Sequence, residues 1–402
     1  MALPDELFEE ILLRLPPDEP ACLLRASAVC KPWRRRLSDP KHLRLLHARH
    51  GRPPLLGFLH NLFESRIPCF VPTTASGSFP LAVPDQLDWS VIDCRHGRAL
   101  LFAQGHLLVW DPITGSQRRV PAPAQFKGGY ANGAVVCAAD GGRRGGPFRV
   151  VFVFHHTLQG GSVMSACVYS SEETGGGAWT EPASLDRPHA CYPTTKPSVL
   201  VGNSRVYFLC GEQHTFTLEY DLERRSLAKV DLPPPDTTAA WTSAVLMPTE
   251  NNRLGVAAVV ESSLHLWSRD VGANGDAGWV LTGVMDIHNL LPIAAFLASW
   301  TVKVIGFAEE ANTVFLCTFA GVFTIELESD RVGKVYATKT GELSFAQVGS
   351  CYESLFPFSS FYIPGALTTG KQVAAPGGGG GTLYVIGPNL LQEVNSSSLT
   401  EN

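Results

Sequence analysis

The chain has 402 residues, 45% hydrophobic and 17% charged, with a net charge of −5. It is long enough for two domains or one repeat array, and too apolar for a disordered tail. Its mild acidity excludes a globally basic nucleic-acid binder. With 38 glycines and 29 prolines, many turns and few long helices are expected.

The first residues are acidic where a secretory leader would be basic. Leu3, Leu7, Ile11 and Leu15 fall four apart, with Phe8 and Leu12 beside them, so an amphipathic helix is predicted. Asp5 and Glu6 in its first turn and Arg14 in its last suit the helix dipole. Pro16-Pro17 stops it. A second short helix is predicted from about Asp18 to Ala26. Ser27 is the expected N-cap of a third carrying Val29, Cys30, Trp33 and Leu37, ended by Asp39-Pro40. Lys31, Arg34, Arg35 and Arg36 read as a solvated helix face, not a nucleic-acid patch. So short a helical array cannot bury this much apolar surface within itself. The surplus is completed either by the rest of the chain or by another protein.

The stretch LPDELFEEILLRLPPDEPACLLRASAVCKPWRRRLSDPKHL resembles an F-box: an opening Leu-Pro, an acidic and apolar first helix closing on Leu-Pro, then Val-Cys-Lys-x-Trp and a later Asp-Pro. The resemblance covers about one-tenth of the chain. It implies a small all-α domain of three short helices, residues 1–48, that docks on the Skp-type linker of a cullin-based ubiquitin ligase. By that resemblance the docking residues are Leu3, Pro4, Leu7, Ile11, Leu12, Leu15 and Pro16, with Val29, Cys30 and Trp33. The motif begins two residues into the chain, and no upstream domain is expected.

From about residue 52 the helical spacing gives way to short apolar runs between Gly, Pro, Asn and Asp turns. RVYFLCGEQHTFTLEYDLERRSLAKV from Arg205 aligns with TVFLCTFAGVFTIELESDRVGKVYA from Thr313. Cys210, Phe216, Thr217, Glu219, Asp221 and Arg224 meet Cys317, Phe323, Thr324, Glu326, Glu328 and Arg331 at a single offset. That offset is two periods of a blade-sized repeat. Intermediate copies appear as Trp110-Asp111, Tyr169-Ser170, Tyr220-Asp221, Trp267-Ser268 and Leu327-Glu328, spaced by roughly 45–60 residues.

One unit divides into strands at Lys303–Ala308, Val314–Phe319, Val322–Glu328 and Val332–Ala337. A four-stranded meander of this length is expected to be a propeller blade, with a β-sandwich as the competing architecture. Five units fit between about Gln86 and Gly341. Pro54–Val71 and Leu355–Ile363 are expected to combine into a sixth that closes the ring. The predicted fold is therefore a helical module followed by an all-β propeller of six four-stranded blades over residues 52–366, then a flexible Gly/Ser-rich tail over 367–402 with one stray strand at Thr382–Ile386. HGRALLF…HLLVWDPITGSQRRVPAP, through Trp110, Asp111, Pro112, Thr114 and Gly115, resembles the F-box-associated, Kelch-related regions of plant F-box proteins. The doubled glycine and paired aromatics of a true Kelch array are not cleanly present.

Leu290–Ala308, the most apolar stretch, contains Pro292 and Lys303 and is read as two strands and a turn instead of a membrane span. The ten cysteines include no C-x-x-C pair, and several sit in apolar runs, as reduced structural thiols of a cytosolic or nuclear protein would. His155 and His156 are strand neighbours facing opposite ways, which does not suit one metal. Asp93, Cys94 and His96 lie close, yet a turn with satisfied hydrogen bonds is preferred over a Cys–His nucleophile. Gly377–Gly381 lacks the Lys-Ser/Thr of a phosphate loop. No catalytic residue, metal, cofactor, nucleic-acid contact or membrane contact is predicted.

The expected function is a non-catalytic substrate adaptor of a Skp–cullin–F-box ligase, with the target and its loops unassigned. Long loops near Gly141–Pro147, Gly160–Gly161, Gly175–Gly177 and Gly272–Gly278 are the candidates. The alternatives are a propeller enzyme or small-ligand sensor whose F-box controls its own turnover, and a scaffold without ubiquitination.

Overall fold

The computed structural model describes residues 5–61, 68–73, 88–137, 146–158, 161–172, 177–187, 191–212, 215–233, 243–271, 277–295, 302–337 and 354–364, and the strand segments 383–385 and 392–394. Among these, four helices precede the sheets: α1 (Asp5–Leu13), α2 (Pro20–Val29), α3 (Lys31–Leu37) and α4 (Pro40–His50).

Two expectations about this layer are corrected. Ser27 does not open a helix: it lies inside α2, where its hydroxyl donates to the Leu24 carbonyl at 2.7 Å. The break falls at Cys30, whose extended backbone (φ −161°, ψ 164°) precedes Pro32 in the first turn of α3. Proline in that first turn needs no N–H and has its φ already set for the helix. Likewise Asp39-Pro40 ends one helix and starts another. The Asp39 carboxylate accepts from the Lys41 N–H at 2.8 Å and caps α4, so the three-helix reading becomes four and the module runs to His50.

The remainder is a ring of six antiparallel sheets. After β1 (Leu55–His60) and β2 (Cys69–Pro72), blade 1 contains β3 (Ser90–Arg95), β4 (Arg98–Ala103), β5 (His106–Trp110) and β6 (Gln117–Pro121). Blade 2 contains β7 (Ala131–Cys137), β8 (Phe148–Leu158), β9 (Gly161–Ser170) and β10 (Ala183–Arg187). In blade 3 the inner strand is split into β11 (Cys191–Pro193) and β12 (Val199–Val201), both paired to β13 (Arg205–Glu212), followed by β14 (Phe216–Asp221) and β15 (Ser226–Val230). Blade 4 contains β16 (Val245–Pro248), β17 (Leu254–Val260), β18 (Ser263–Val271) and β19 (Ala277–Asp286), trailed by the single turn α5 (Ile287–Leu290). Blade 5 contains β20 (Lys303–Ala308), β21 (Thr313–Thr318), β22 (Gly321–Glu326) and β23 (Arg331–Ala337).

The sixth blade forms as expected from the two ends of the ring. β24 (Phe356–Ser359) pairs with β1, and β1 with β2, so the late strand is innermost and the early ones lie outside it. It has three strands among the described residues, not the expected four. A separate hairpin, β25 (Leu383–Val385) with β26 (Gln392–Val394), covers part of the predicted stray strand; the rest of the expected tail lies outside the described residues. The apolar stretch from Leu290 departs from its two-strand reading. Before β20 the chain makes α5 and a short 3-10 turn at Ile293–Ala295, because Pro292 interrupts extension. No helix among the described residues is long and apolar enough to cross a membrane.

Every junction between neighbouring blades has its own apolar core. Inner and middle strands are therefore buried on both faces: all six residues of β21 are buried, which explains its unbroken run VFLC. Outer strands such as β15 and β19 are largely exposed. The junction between blades 6 and 1 differs, because α1 to α3 add Leu12, Leu23, Ala26 and Leu37 to the same core as Leu56, Trp89, Trp110 and Phe358.

Two of the recurrent pairs, Trp110-Asp111 and Tyr220-Asp221, mark third-strand ends. Asp111 accepts from the N–H groups of Ile113 and Thr114, and Asp221 from those of Glu223 and Arg224, so each acid nucleates the turn to the fourth strand. The long repeat matches blades 3 and 5, two steps apart. Its register slips, however: Asp221 stands opposite Arg205 and Glu326 opposite Thr313, so Asp221 corresponds to Glu326 instead of Glu328.

Candidate functional site

Two places break the usual sorting of polar and apolar residues. The first is the outer face of the helical layer. Leu7, Ile11 and Val29 are 54%, 40% and 65% exposed, and Pro16 and Cys30 are also exposed. Leu12, one helical turn from Phe8, is fully buried, and Leu15 and Trp33 are half-buried against the blade 6–blade 1 core. The Phe8 and Trp33 rings meet edge to face at 5.4 Å. A 100° step per residue divides α1 into an inward stripe (Phe8, Leu12) and an outward one (Leu7, Ile11). Leu12 is thus a core residue of this chain, contrary to its place in the expected docking set. Leu3 and Pro4 lie outside the described residues.

The layer is anchored to the ring. The Ser38 hydroxyl donates to the Pro364 carbonyl at 2.7 Å. Leu13 and Leu46 enclose Phe361, whose ring is met edge-on by His47 at 4.6 Å. Arg14 and Arg49 both bond Glu10 at 3.0 Å, tying α1 to α4 and holding that carboxyl below its ordinary pKa.

The second place is the ring axis. β3 ends in Asp93, Cys94 and Arg95 and turns through His96 and Gly97, both left-handed (φ 54° and 72°). A Cβ at Gly97 would approach the Ser360 hydroxyl to 2.8 Å, so glycine is required there for space as well as for φ. Asp93 is buried. Its carboxylate accepts from the Val135 N–H of blade 2 at 2.9 Å and the Ser198 hydroxyl of blade 3 at 3.0 Å. Arg95 Nη2 donates to the Ser198 carbonyl at 2.8 Å and pairs with Glu309 of blade 5 at 3.2 Å. Side chains of blade 1 thus reach three other blades.

Burial sets the ionisation here. It raises Asp93 against the pull of Arg95, and pushes Glu309 up to about 7, with Glu310 and Asp93 adding to the effect. Glu309 keeps about 30% of its side-chain surface accessible, so water at the mouth tempers the energetic consequence. Burial, aided by Arg95 and Arg98, lowers His96 to about 4. Cys94 is raised well above the ordinary thiol by burial and by Asp93 and Glu310. A thiol held protonated beside a poorly basic imidazole is a weak nucleophile.

Sequence reading weighed Asp93, Cys94 and His96 but missed Arg95, Ser198 and Glu309. The signal that finds Arg95 and Glu309 is the alignment of inner-strand ends: DCRHG closes β3 and FAEE closes β20. Of the candidate loops, Gly160, residues 141–145, 175–176 and 272–276 lie outside the described residues. No cluster of metal-ligating side chains occurs among the described residues. His155 bonds Ser162 at 2.6 Å while His156 lies near Phe154, consistent with opposite strand faces.

Comparison with known proteins bears on both regions. No curated protein matches the chain. Solved structures that resemble it include a protein of unknown function from Bacteroides caccae (10% identity, 76% of this chain and 100% of that one, TM-score 0.44). The WD40 domain of SCAP from fission yeast is also similar (12%, 64% and 53%, TM-score 0.36), as is a lectin of Aleuria aurantia (12%, 71% and 92%, TM-score 0.38). Likenesses this distant have no bearing on function. The F-box domain family matches residues 1–45. The family described as the beta-propeller of F-box protein AT5G49610-like matches residues 90–358, about two thirds of the chain. With a helical layer on one junction of a six-bladed ring, the chain belongs to the AT5G49610-like family of F-box proteins with a beta-propeller.

Proposed function

We propose that this protein is a non-catalytic substrate-recognition subunit of a Skp–cullin–F-box ubiquitin ligase acting in the cytosol or nucleus. The outward face of the helical layer docks on the Skp-type linker, and the propeller holds a target protein. The observation that carries the reading is the exposure of Leu7, Ile11 and Val29 on helices whose opposite faces are locked into the ring. Large apolar side chains left exposed on an anchored helical layer mark an interface more than a packing defect. The docking set accordingly narrows to Leu7, Ile11, Pro16, Val29 and Cys30, with Leu3 and Pro4 carried over from the family motif.

The anchoring serves the mechanism. An adaptor works by tethering, which raises the effective concentration of a target lysine near the transfer site. A stiff joint between linker-binding helices and propeller keeps that geometry defined, and the shared core and the Ser38–Pro364 bond support such stiffness. No residue of this chain is required to make or break a bond.

The test is capture of the tagged full chain from cells with the proteasome blocked. A Skp-type linker and a cullin should co-purify with ubiquitinated proteins, and all should be lost in a Leu7→Glu/Ile11→Glu variant. Capture without linker or cullin would contradict the reading. A second reading, a propeller that senses a small ligand, is favoured by the axial pocket. It predicts that linker capture persists while the chain itself is the ubiquitinated species.

A further inference from the structure

Arg95 is buried, its side chain 5% exposed, and its charge cannot be relieved by loss of a proton. Nη2 is satisfied by Ser198 and Glu309, yet Nε and Nη1 are buried with no hydrogen-bond partner. The Ser359 hydroxyl of β24 is likewise buried without a partner. Both residues line one pocket at the ends of the inner strands, a cavity of about 30 Å³ that is partly open to solvent and has room for a group the size of a carboxamide head. Unmet donors buried together at a cavity need an occupant, since each costs about 1–3 kcal/mol when left unpaired.

The other walls define what fits. Phe307, Phe356, Pro197 and Pro357 are apolar, and Glu309 and Glu310 supply acceptors. An anionic guest meets Asp93 and Glu310, which already outnumber the single fixed positive charge. A cationic guest meets Arg95 itself. A neutral group that accepts and donates at once matches both sets.

We propose that the axial pocket binds a neutral amide: its carbonyl accepts from Arg95 and Ser359, and its N–H groups donate to Glu309 and Glu310. Such an amide comes either from an Asn or Gln side chain of a bound protein or from a free small carboxamide. The binding itself is independent of linker docking; its use in target capture rests on the adaptor reading.

The experiment is saturation-transfer NMR on the full chain without any linker. It compares N-acetyl-glutamine methylamide with the near-isosteric N-acetyl-glutamate methylamide. The glutamine probe should give a signal at least about fivefold stronger, the preference lost when a buried donor–acceptor match is broken. Arg95→Lys and, separately, Glu310→Leu should each reduce it at least about fivefold. Should Arg95→Lys fail to fold, Glu310→Leu, altered at the half-exposed mouth, decides the matter. Propionamide alone binding as strongly supports a free carboxamide. Binding confined to the probe with flanking peptide groups supports a protein side chain. Equal signals from the glutamine and glutamate probes, or signals unchanged in the folded variants, would overturn the proposal and leave the donors to water.

Discussion

The outer face of the helical layer and the axis of the ring invert the same rule in opposite directions. The first leaves Leu7, Ile11 and Val29 in water; the second takes Asp93 and Arg95 out of it. Scattered exposed leucines are ordinary, and so are polar residues at a surface. What carries information is the contrast within each region: Leu7 and Leu12 share one helix with opposite burial, and Arg95 shares one pocket with satisfied and unsatisfied nitrogens. The helical layer has surface in search of a partner. The axis has a cross-blade network that fixes inner strands relative to one another and keeps unspent donors.

The contrast breaks most visibly at Asp93. Asp93→Ala orphans the Val135 N–H and the Ser198 hydroxyl, and a loss of about 2–5 kcal/mol is expected in chemical denaturation. An unchanged midpoint would mean the axis is not structural. In α1, Leu12→Ala should cost about 2–4 kcal/mol, because a fully buried side chain leaves a cavity. Leu7→Ala should stay within about 0.5 kcal/mol in the same assay. Equal costs would erase the two-face description of α1.

A smaller effect is expected at the rim. Trp279 Nε1 donates to the Asp231 carbonyl at 2.7 Å, joining blade 4 to blade 3, and Trp179 does the same with Pro121 between blades 2 and 1. Trp279→Phe should cost about 1 kcal/mol in thermal unfolding. The smallest effect is one of slope. His60 and His96, both lowered to about 4, favour the fold above pH about 6.5 and lose that contribution as pH falls from there towards 4. Glu309, raised to about 7, works the other way: its contribution is full below pH about 4.5 and is lost as pH rises to about 7. Removing it in Glu309→Gln should steepen the acid-side loss between those limits, measured by denaturation across pH.

Much of this architecture is legible in the sequence. Blade 5 was marked within two residues at each strand end because short apolar runs there are bounded by clear turn residues, and ring closure by LLGFLH and FPFS followed from their lack of local partners. The helix limits were less legible. Asp39-Pro40 has the composition of both a stop and a start, and only the cap on Lys41 decides. Trp179 in GAWT and Trp279 in AGWV carry no periodic pattern of their own, so their ties between blades are not legible in the sequence. The axial pocket was least legible, since residues 93, 198 and 309 meet only when separate blades close around one axis.

The central claim is that the face carrying Leu7, Ile11 and Val29 is completed by another protein. Calorimetric titration of a purified Skp-type linker into the intact chain tests it most directly. Saturable one-to-one binding is predicted, weakened at least about a hundredfold by Leu7→Glu/Ile11→Glu, because buried charge at an apolar contact costs several kcal/mol. The melting temperature should be unchanged in that variant. Absence of binding by the folded wild-type chain, or equal binding by the variant, would contradict the account.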